Sequence, residues 1–262
     1  MLLTADIGNT SITLGIFDDV ALVEEFRLAS DKDLSLEEYE VLLKSLFKNY
    51  IVDGCIISSV VEELTTKFKK AVDEVFKLDA IVLSTEINTG VKICLDSPKE
   101  AGADRIANAV GAYVLYNHPV IVVDFGTATT FDIVNAKGEF VGGIISLGIM
   151  SQMKALNKFT SKLPQADVTL SNCAIGHNTN DAILSGVIRG TACMIDGLVE
   201  QCEKELGQKV VLVATGGYSG LIANYLKRQF DFINPTLTLE GLRYLYGINS
   251  SNVIGELQEV SH

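Results

Sequence analysis

The chain has 262 residues, of which 48% are hydrophobic and 21% are charged, and its formal net charge at pH 7 is −12. These proportions are typical of a folded globular protein and exclude a disordered or low-complexity chain. No run of lysine and arginine is present, so nucleic acid and anionic membranes are not expected as partners. The length allows one large α/β domain or two domains that share a cleft.

The cysteines and the hydropathy pattern indicate a cytoplasmic, soluble protein. Five cysteines are scattered along the chain without a Cys-x-x-Cys pair and without histidines at metal-ligand spacing, which predicts reduced thiols and no zinc site. No basic leader precedes the first strand, and no stretch of about 18 apolar residues occurs.

The first predicted element is a β-hairpin at the start of the chain. Leu2 and Leu3 lead into Asp6, Gly8 follows two positions later, and a second apolar strand runs over residues 12–17. Backbone N–H groups in such a turn can hold phosphate oxygens, and a carboxylate can hold the accompanying cation. The pattern favours a phosphate-binding hairpin, although a tight β-hairpin without a ligand would show the same residues.

Strands and helices alternate after this hairpin. A third strand is expected over residues 24–28, and Ser35 with Glu38 forms a capping-box signature for a helix that reaches about Asn49. A buried strand at 55–60, an amphipathic helix at 62–76 and a strand at 80–83 follow. This alternation predicts a sheet with parallel strands and crossover connections.

The next signature combines a predicted helix start with two charged side chains. Residues 97–100 form a second capping-box signature, with Pro98 at the first helical position, and lead into Gly102-Ala103-Asp104-Arg105. Such a carboxylate can act as a base for a substrate hydroxyl, and the guanidinium beside it can donate two hydrogen bonds to a substrate carboxylate. An ordinary surface helix could begin with the same two residues.

The hairpin pattern returns near mid-chain. Residues 120–134 run from an apolar strand through Asp124, Gly126 and Thr127 into a second strand, 118 residues after the first copy. Because two copies at nearly half the chain length are less easily explained by chance, we expect two related halves, residues 1–116 and 117–262.

The second half ends in a glycine-rich turn. A long helix is predicted from about 181 to 205, with an apolar face that suits either the core or a dimer contact, and a buried strand at 210–214 leads into Thr215, Gly216 and Gly217. A helix is expected from 219 to 229. Two glycines between a strand and a helix suit a nucleotide at the helix N-terminus, but such a turn needs no ligand.

Together, the two hairpins and the glycine turn resemble the duplicated α/β fold shared by actin, the Hsp70 ATPase and sugar kinases. This resemblance implies two ribonuclease H-like halves around a nucleotide cleft. No Gly-x-x-x-x-Gly-Lys loop and no His-Arg-Asp motif is present, so residues 124–126 are not interpreted as a protein-kinase element.

The order and spacing of the motifs resemble those of type III pantothenate kinases along nearly the whole chain. The matching segments are 6–10, 102–105 with Asn108-Ala109, 124–130, Gly142-Gly143, Leu163-Pro164, 175–179, 215–217 and 237–242. The resemblance implies ATP-dependent phosphorylation of pantothenate to 4′-phosphopantothenate, the first step of coenzyme A biosynthesis.

The resemblance also implies roles for individual residues. Asp104 would be the general base, and Asp124 would bind a monovalent cation, K⁺ or NH₄⁺. Asp6 would lie near the divalent cation, Mg²⁺. Thr179 would contact pantothenate across a homodimer interface. Pantothenate would be held by Gly102, Ala103, Asp104 and Arg105. ATP would be held by Asp6, Ile7, Gly8, Asn9, Thr10, Ser11, Ile12, Thr13 and Thr127, with Gly216 and Gly217 beneath the adenosine.

The chain departs from the family pattern at two places. Leu95 stands where the family usually has a tyrosine that lines the pantothenate site, and Leu147 replaces a proline.

Two alternative functions stay open: a kinase of the same fold that acts on another small hydroxyl compound, and a non-catalytic ATP-binding regulator. The intact Asp104 favours an enzyme.

Overall fold

A computed structural model describes residues 1–116, 118–161, 163–164 and 167–250. Two compact units are present. The first is Met1–Val114 together with the C-terminal stretch from Leu237, and the second is Leu115–Thr236.

The first unit is built on a five-stranded sheet in the order β3-β2-β1-β4-β5. β1 pairs antiparallel with β2, and β2 with β3, whereas β4 lies parallel to β1 and to β5. From the start of the chain to α3, the elements are β1 Leu2–Ile7, β2 Ser11–Asp18, β3 Ala21–Ala29, α1 Leu36–Leu46, β4 Gly54–Ser59, α2 Glu62–Phe76, β5 Ile81–Val82, β6 Lys92–Ile93, a 3₁₀ turn at Pro98–Glu100 and α3 Ala103–Leu115.

The second unit repeats this arrangement. Its strands follow one another as β11-β10-β7-β8-β9, with β8 antiparallel to β7 and β9, and β10 parallel to β7 and β11. The predicted duplicated α/β fold is therefore confirmed. The elements are β7 Val120–Phe125, β8 Ala128–Val134, β9 Glu139–Leu147, α4 Ile149–Phe159, α5 Thr179–Leu184, a π-helical turn at Ser185–Arg189, α6 Gly190–Leu206, β10 Val211–Gly216, α7 Ser219–Ala223 and β11 Phe232–Ile233.

The last helix, α8 Leu237–Asn249, belongs to the first unit. Leu242 and Leu245 are fully buried and pack in one cluster with Ile56 of β4 and Ile106 of α3. The expected second half, residues 117–262, thus differs from the observed unit, which ends at Thr236. The chain returns to its first sheet because that sheet has a second apolar face to cover.

The two faces of the first sheet pack against different helices. Leu3, Ala5 and Ile7 of β1 lie in one cluster with residues of α1 and α2, whereas Ile56 of β4 lies in the cluster that includes α3 and α8. Side chains alternate across a strand, so Asp6 projects from the face that α3 and α8 cover.

Local predictions have mixed outcomes. The capping box of α1 is confirmed, since the Ser35 side chain accepts from the Glu38 amide and Glu38 accepts from the Ser35 amide. The second capping box is wrong: Ser97 makes no side-chain cap, and its segment forms a single 3₁₀ turn before α3 begins separately at Ala103. The predicted helix at 219–229 stops at Ala223.

Among the described residues, one helical stretch, Thr179–Leu206, is long and apolar enough to cross a membrane by length and composition alone. Its side chains Ile183, Val187, Ala192 and Ile195 are buried in the cluster that also contains Ile121 of β7. One side of this helix is therefore part of the second unit's core.

Glu203 on α6 is a buried acid held by several donors. It is 8% exposed, and it pairs with Lys209 and Arg228 and accepts from the amide of Val210. Burial opposes its ionisation, but Lys209, the Val210 amide and Arg228 outweigh burial and hold the pKa of Glu203 below its usual range. Its ionised form therefore stabilises the fold.

We expect Glu203→Gln to lower the free energy of unfolding by about 1–3 kcal/mol at pH 7, because the charge-assisted hydrogen bonds are lost. The native pKa is depressed, so this contribution is present above the unfolded value of about 4.3 and is lost as the pH falls through the native value. Urea unfolding at pH 7 and pH 3 measures it. Glu205→Gln, an exposed acid on the same helix, serves as control. Equal losses for both variants would contradict the prediction.

Candidate active site

Asp6 lies near the carboxyl end of β1, beside Ser58 of the parallel strand β4. The register pairs the two residues, and the Ser58 hydroxyl donates to the Asp6 carboxylate over 2.8 Å. Ser58 is fully buried, so this bond holds one carboxylate oxygen in place. Ser58 was not among the residues predicted from the sequence. Its signal was a pair of serines, Ser58 and Ser59, that ends an otherwise apolar strand.

The loop between β1 and β2 is anchored by Ser30, the residue after β3. The Gly8 amide donates to the Ser11 carbonyl over 3.0 Å. The Ser30 hydroxyl donates to the Gly8 carbonyl over 2.5 Å, and the Ser30 amide donates to the Thr10 carbonyl over 3.2 Å. In a trans peptide the C=O and the next N–H point in opposite directions. The amides of Asn9 and Ser11 therefore face away from Ser30, as binding of phosphate oxygens by this loop requires.

Asp104 stands in the first turn of α3, in a pocket left by Gly102. Its carboxylate accepts from the Arg105 amide over 2.8 Å. A Cβ on Gly102 would lie 2.5 Å from the same carboxylate oxygen. Burial raises the pKa of Asp104, against the opposing effects of the Arg105 amide and the positive charge of Arg105. A carboxylate with a raised pKa is a stronger base than an exposed one.

Asp6 and Asp104 belong to the same edge of the first unit. The Val60 amide, just after β4, donates to the Ile7 carbonyl at the end of β1 over 3.1 Å. A Cβ on Gly102 would lie 3.6 Å from the Val60 side chain, so the start of α3 lies against this same strand end. The carboxyl ends of parallel strands are where α/β folds place their sites. Residues 6–13, the expected phosphate loop, and Asp104, the expected base, therefore share one edge.

Gly102→Ala is expected to lower kcat about 10- to 100-fold while the KM for ATP changes little. The added methyl group would displace the Asp104 carboxylate, and a misplaced base costs rate more than binding. Steady-state kinetics with each substrate varied in turn measures the effect. Gly186→Ala, on the π-helical turn where a Cβ meets nothing within 4 Å, is the matched control. An unchanged kcat in Gly102→Ala would show that the carboxylate tolerates displacement.

The second hairpin is anchored in the same way as the first. The Gly126 amide donates to the Ala128 carbonyl over 3.0 Å. The Thr127 carbonyl accepts from the Gly148 amide over 3.1 Å and from the Ser151 hydroxyl over 2.7 Å. In both units, residues that follow the third strand of the sheet hold carbonyls of the hairpin turn. Neither Ser30 nor Ser151 was predicted, because these bonds join segments more than 20 residues apart.

Gly216 lies directly against Asp124. The register pairs Asp124 with Thr215 on the parallel strand β10. Gly216 has a φ of +83°, and a Cβ there would lie 2.8 Å from an Asp124 carboxylate oxygen and 2.7 Å from the Phe125 carbonyl oxygen. Both the backbone angle and the space exclude a side chain. The turn then passes through Gly217 into α7.

Thr179 occupies a different part of the second unit. It is the first residue of α5, follows the N-cap Asn178, whose side chain accepts from the Asp181 amide, and is exposed. The predicted residues thus fall into three places: residues 6–13 with 102–105 at one edge of the first unit, Asp124 with Thr127, Gly216 and Gly217 at one edge of the second, and Thr179 at a helix start.

The sequence signature described as type III pantothenate kinase matches residues 2–201. The chain belongs to the type III pantothenate kinase family. A type III pantothenate kinase from Dehalococcoides mccartyi strain CBDB1 is 43% identical over 253 residues, which cover 95% of this chain and 96% of that protein.

Solved structures of low sequence identity support the fold of this type III pantothenate kinase family member. MreB 5 of Spiroplasma citri, bound to AMPPNP, aligns with a TM-score of 0.56 at 12% identity and covers 100% of this chain and 98% of its own. A ROK family glucokinase from Streptomyces griseus, in complex with glucose and AMPPNP, aligns with a TM-score of 0.51 at 14% identity, covering 93% and 98%. The architecture is that of actin-like ATPases and sugar kinases.

The residues present fit a divalent cation that arrives with the nucleotide. Among the described residues, no group of three or more His, Cys, Asp or Glu side chains gathers around a common point. Mg²⁺ usually keeps several waters and takes one or two carboxylates together with substrate phosphates. A single oriented carboxylate, Asp6 held by Ser58, suits that mode of binding for a type III pantothenate kinase.

Proposed function

We propose that the protein transfers the γ-phosphoryl group of ATP to pantothenate, giving 4′-phosphopantothenate and ADP, the first step of coenzyme A biosynthesis. The observation that carries this proposal is the half-buried carboxylate of Asp104, which lies at the same sheet edge as residues 6–13. Family membership supports the choice of substrate.

In the proposed reaction Asp104 accepts the proton of the pantothenate hydroxyl as its oxygen attacks the γ-phosphorus atom. The bond from that phosphorus atom to the bridging oxygen of ADP breaks. Phosphoryl transfer of this kind depends mainly on positioning and on charge neutralisation. Arg105 supplies a cation for the pantothenate carboxylate, and residues 6–13 hold the phosphates. Mg²⁺, held by Asp6 when bound, would neutralise charge on the β- and γ-phosphate oxygens.

The second unit would hold the rest of the nucleotide and a monovalent cation. Thr127 would contact ATP, and Gly216 and Gly217 would lie beneath the adenosine. Asp124 would bind K⁺ or NH₄⁺. The support is the contact of Gly216 with the Asp124 carboxylate, which places a negatively charged oxygen beside the glycine turn.

For Asp124→Asn we expect a changed dependence on monovalent cations, with the concentration of K⁺ for half-maximal activity raised about tenfold or more. The amide keeps the shape of the carboxylate but loses its charge. Titrations of KCl and NH₄Cl at constant ionic strength measure this. Glu200→Gln, which alters an exposed acid on α6 of the same unit, is the control. A titration curve that superimposes on that of the unsubstituted enzyme would remove Asp124 from the cation site.

We further propose a homodimer in the cytoplasm, in which Thr179 of one protomer reaches the pantothenate of its partner. Exposed apolar side chains on the second unit support an interface: Ile145 and Leu147 on β9 are 65% and 57% exposed, and Met150 on α4 is 37% exposed. Sedimentation equilibrium tests the assembly. A monomer at micromolar concentration would contradict it.

Activity measured on several substrates tests two other functions, a kinase of the same fold for another hydroxyl compound and a non-catalytic regulator. ADP release should be fastest with pantothenate among small hydroxyl compounds, and mass spectrometry should show one added phosphate on it. A higher rate with another alcohol would support a kinase of the same fold with a different substrate. ATP binding without turnover on any compound would support a regulatory protein.

A further inference from the structure

A row of polar side chains crosses the first sheet at the height of Asp6. The register pairs Asp6 with Ser58 on one side and with Thr13 on the other, and Thr13 with Arg27 on β3. Paired residues of adjacent strands project from the same face of a sheet. All four side chains therefore share the face on which α3 and Asp104 lie.

The close approach of Leu239 to Gly15 identifies this face of the sheet. Gly15 lies two residues beyond Thr13 on β2, and a Cβ on it would lie 2.9 Å from the side chain of Leu239 on α8. The face that carries Arg27 is thus the α3 and α8 face, not the one covered by α1 and α2. Strands lie about 4.8 Å apart, so the backbone of Arg27 is roughly 10 Å from that of Asp6, within reach of a ligand that also meets Asp6.

Arg27 also touches the phosphate loop directly. Its guanidinium donates to the Ser11 hydroxyl over 3.0 Å, and its side chain is exposed. Within residues 1–116 and the other described segments, no carboxylate lies within ion-pair distance of it. Three residues later, Ser30 bonds the Gly8 and Thr10 carbonyls, so the end of β3 is fixed to the loop.

We propose that Arg27 binds the terminal phosphates of the nucleotide. This inference rests on the proposed use of ATP and adds a phosphate ligand to the same site. A guanidinium presents paired donors that match phosphate oxygens, and its charge would offset the charge of the triphosphate beside the Asp6 carboxylate. The contact with Ser11 favours phosphate over the pantothenate carboxylate, because Ser11 belongs to the phosphate loop.

The test measures binding of ATP, ADP and AMP by calorimetry, in the presence of Mg²⁺, to the unsubstituted protein and to Arg27→Gln and Arg27→Lys. Arg27→Gln should weaken ATP binding about tenfold or more and leave AMP binding within about twofold, since AMP has no terminal phosphates. Arg27→Lys keeps the positive charge but lacks the paired donors of the guanidinium. Its affinity for ATP should therefore lie between those of the unsubstituted protein and Arg27→Gln. The KM for pantothenate should not change in either variant.

Lys44→Gln is the matched control, because it removes one exposed positive charge from α1 in the same unit. Equal weakening of all three nucleotides, no weakening of ATP, or a raised KM for pantothenate with unchanged ATP binding would each overturn the inference. A protein that binds ATP through Arg27 but does not phosphorylate pantothenate would contradict the proposed function and support the inference. A protein that phosphorylates pantothenate but binds ATP equally well after Arg27→Gln would support the proposed function and contradict the inference.

Discussion

Asp104→Asn is expected to lower kcat by about 10²- to 10⁴-fold while the affinity for ATP stays nearly unchanged. Asparagine has the size of aspartate but cannot accept the proton of the substrate hydroxyl. The substitution does not touch residues 6–13, which are proposed to bind the phosphates. Pre-steady-state measurement of phosphoryl transfer, together with calorimetry for ATP, separates the two effects.

The raised pKa of Asp104 gives this prediction two further readouts. The proposed mechanism requires Asp104 in its ionised form, so kcat/KM in the unsubstituted enzyme should fall on the acidic side at a pH above the ordinary aspartate value of about 3.9. A carboxyl whose native pKa is raised contributes stability below its unfolded pKa and loses that stability as the pH rises through the native value. Asp104→Asn should therefore be at least as stable as the unsubstituted protein at pH 7.

Loss of activity with unchanged or higher thermal stability would identify Asp104 as a base rather than a structural residue. Near-normal turnover in Asp104→Asn would show that this side chain only positions the substrate. Gly102→Ala keeps the carboxylate and moves it, so its defect should be smaller than that of Asp104→Asn.

The second large effect is expected for Asp6→Asn, which should lower kcat/KM for ATP by about 10²-fold or more and raise the Mg²⁺ concentration needed for activity. The Ser58 hydroxyl orients the Asp6 carboxylate, and an amide in its place offers a weaker cation ligand. Titration of Mg²⁺ at fixed ATP, followed by ADP release, measures the change. Binding of ATP without Mg²⁺ should differ little between the two proteins.

Asp79→Asn is the control for Asp6→Asn, because Asp79 is an exposed acid of the same unit that pairs with Lys69. The control should behave like the unsubstituted enzyme at every Mg²⁺ concentration. An Asp6→Asn variant with an unshifted Mg²⁺ titration would place the divalent cation elsewhere.

Local sequence patterns were sufficient to predict the two hairpins and helix α1, which follows the first of them. An apolar strand, an aspartate, a glycine two positions later and a second strand define the turn at Asp6 and again at Asp124, because strand periodicity and turn chemistry are local properties. The capping box at Ser35 could be predicted for the same reason. The duplicated fold follows from finding the pattern twice.

Residues that support the site through distant contacts could not be predicted in this way. Ser58 reaches Asp6, and Ser30 reaches Gly8, only after separate strands pair in a particular register, which no local pattern specifies. Leu237, the first residue of α8, was assigned to the wrong half because chain order does not show which face of a sheet remains uncovered. At Ser97 the capping signature is present, but Ser97 makes no cap and α3 begins separately at Ala103.

The most direct test of the proposed function is the initial rate of ADP release by the unsubstituted enzyme with Mg²⁺ and K⁺, measured with and without pantothenate. The proposal predicts a rate that depends on pantothenate, saturates with its concentration and falls when K⁺ is replaced by a cation the site does not bind. An ADP release rate that is the same with and without pantothenate would contradict it.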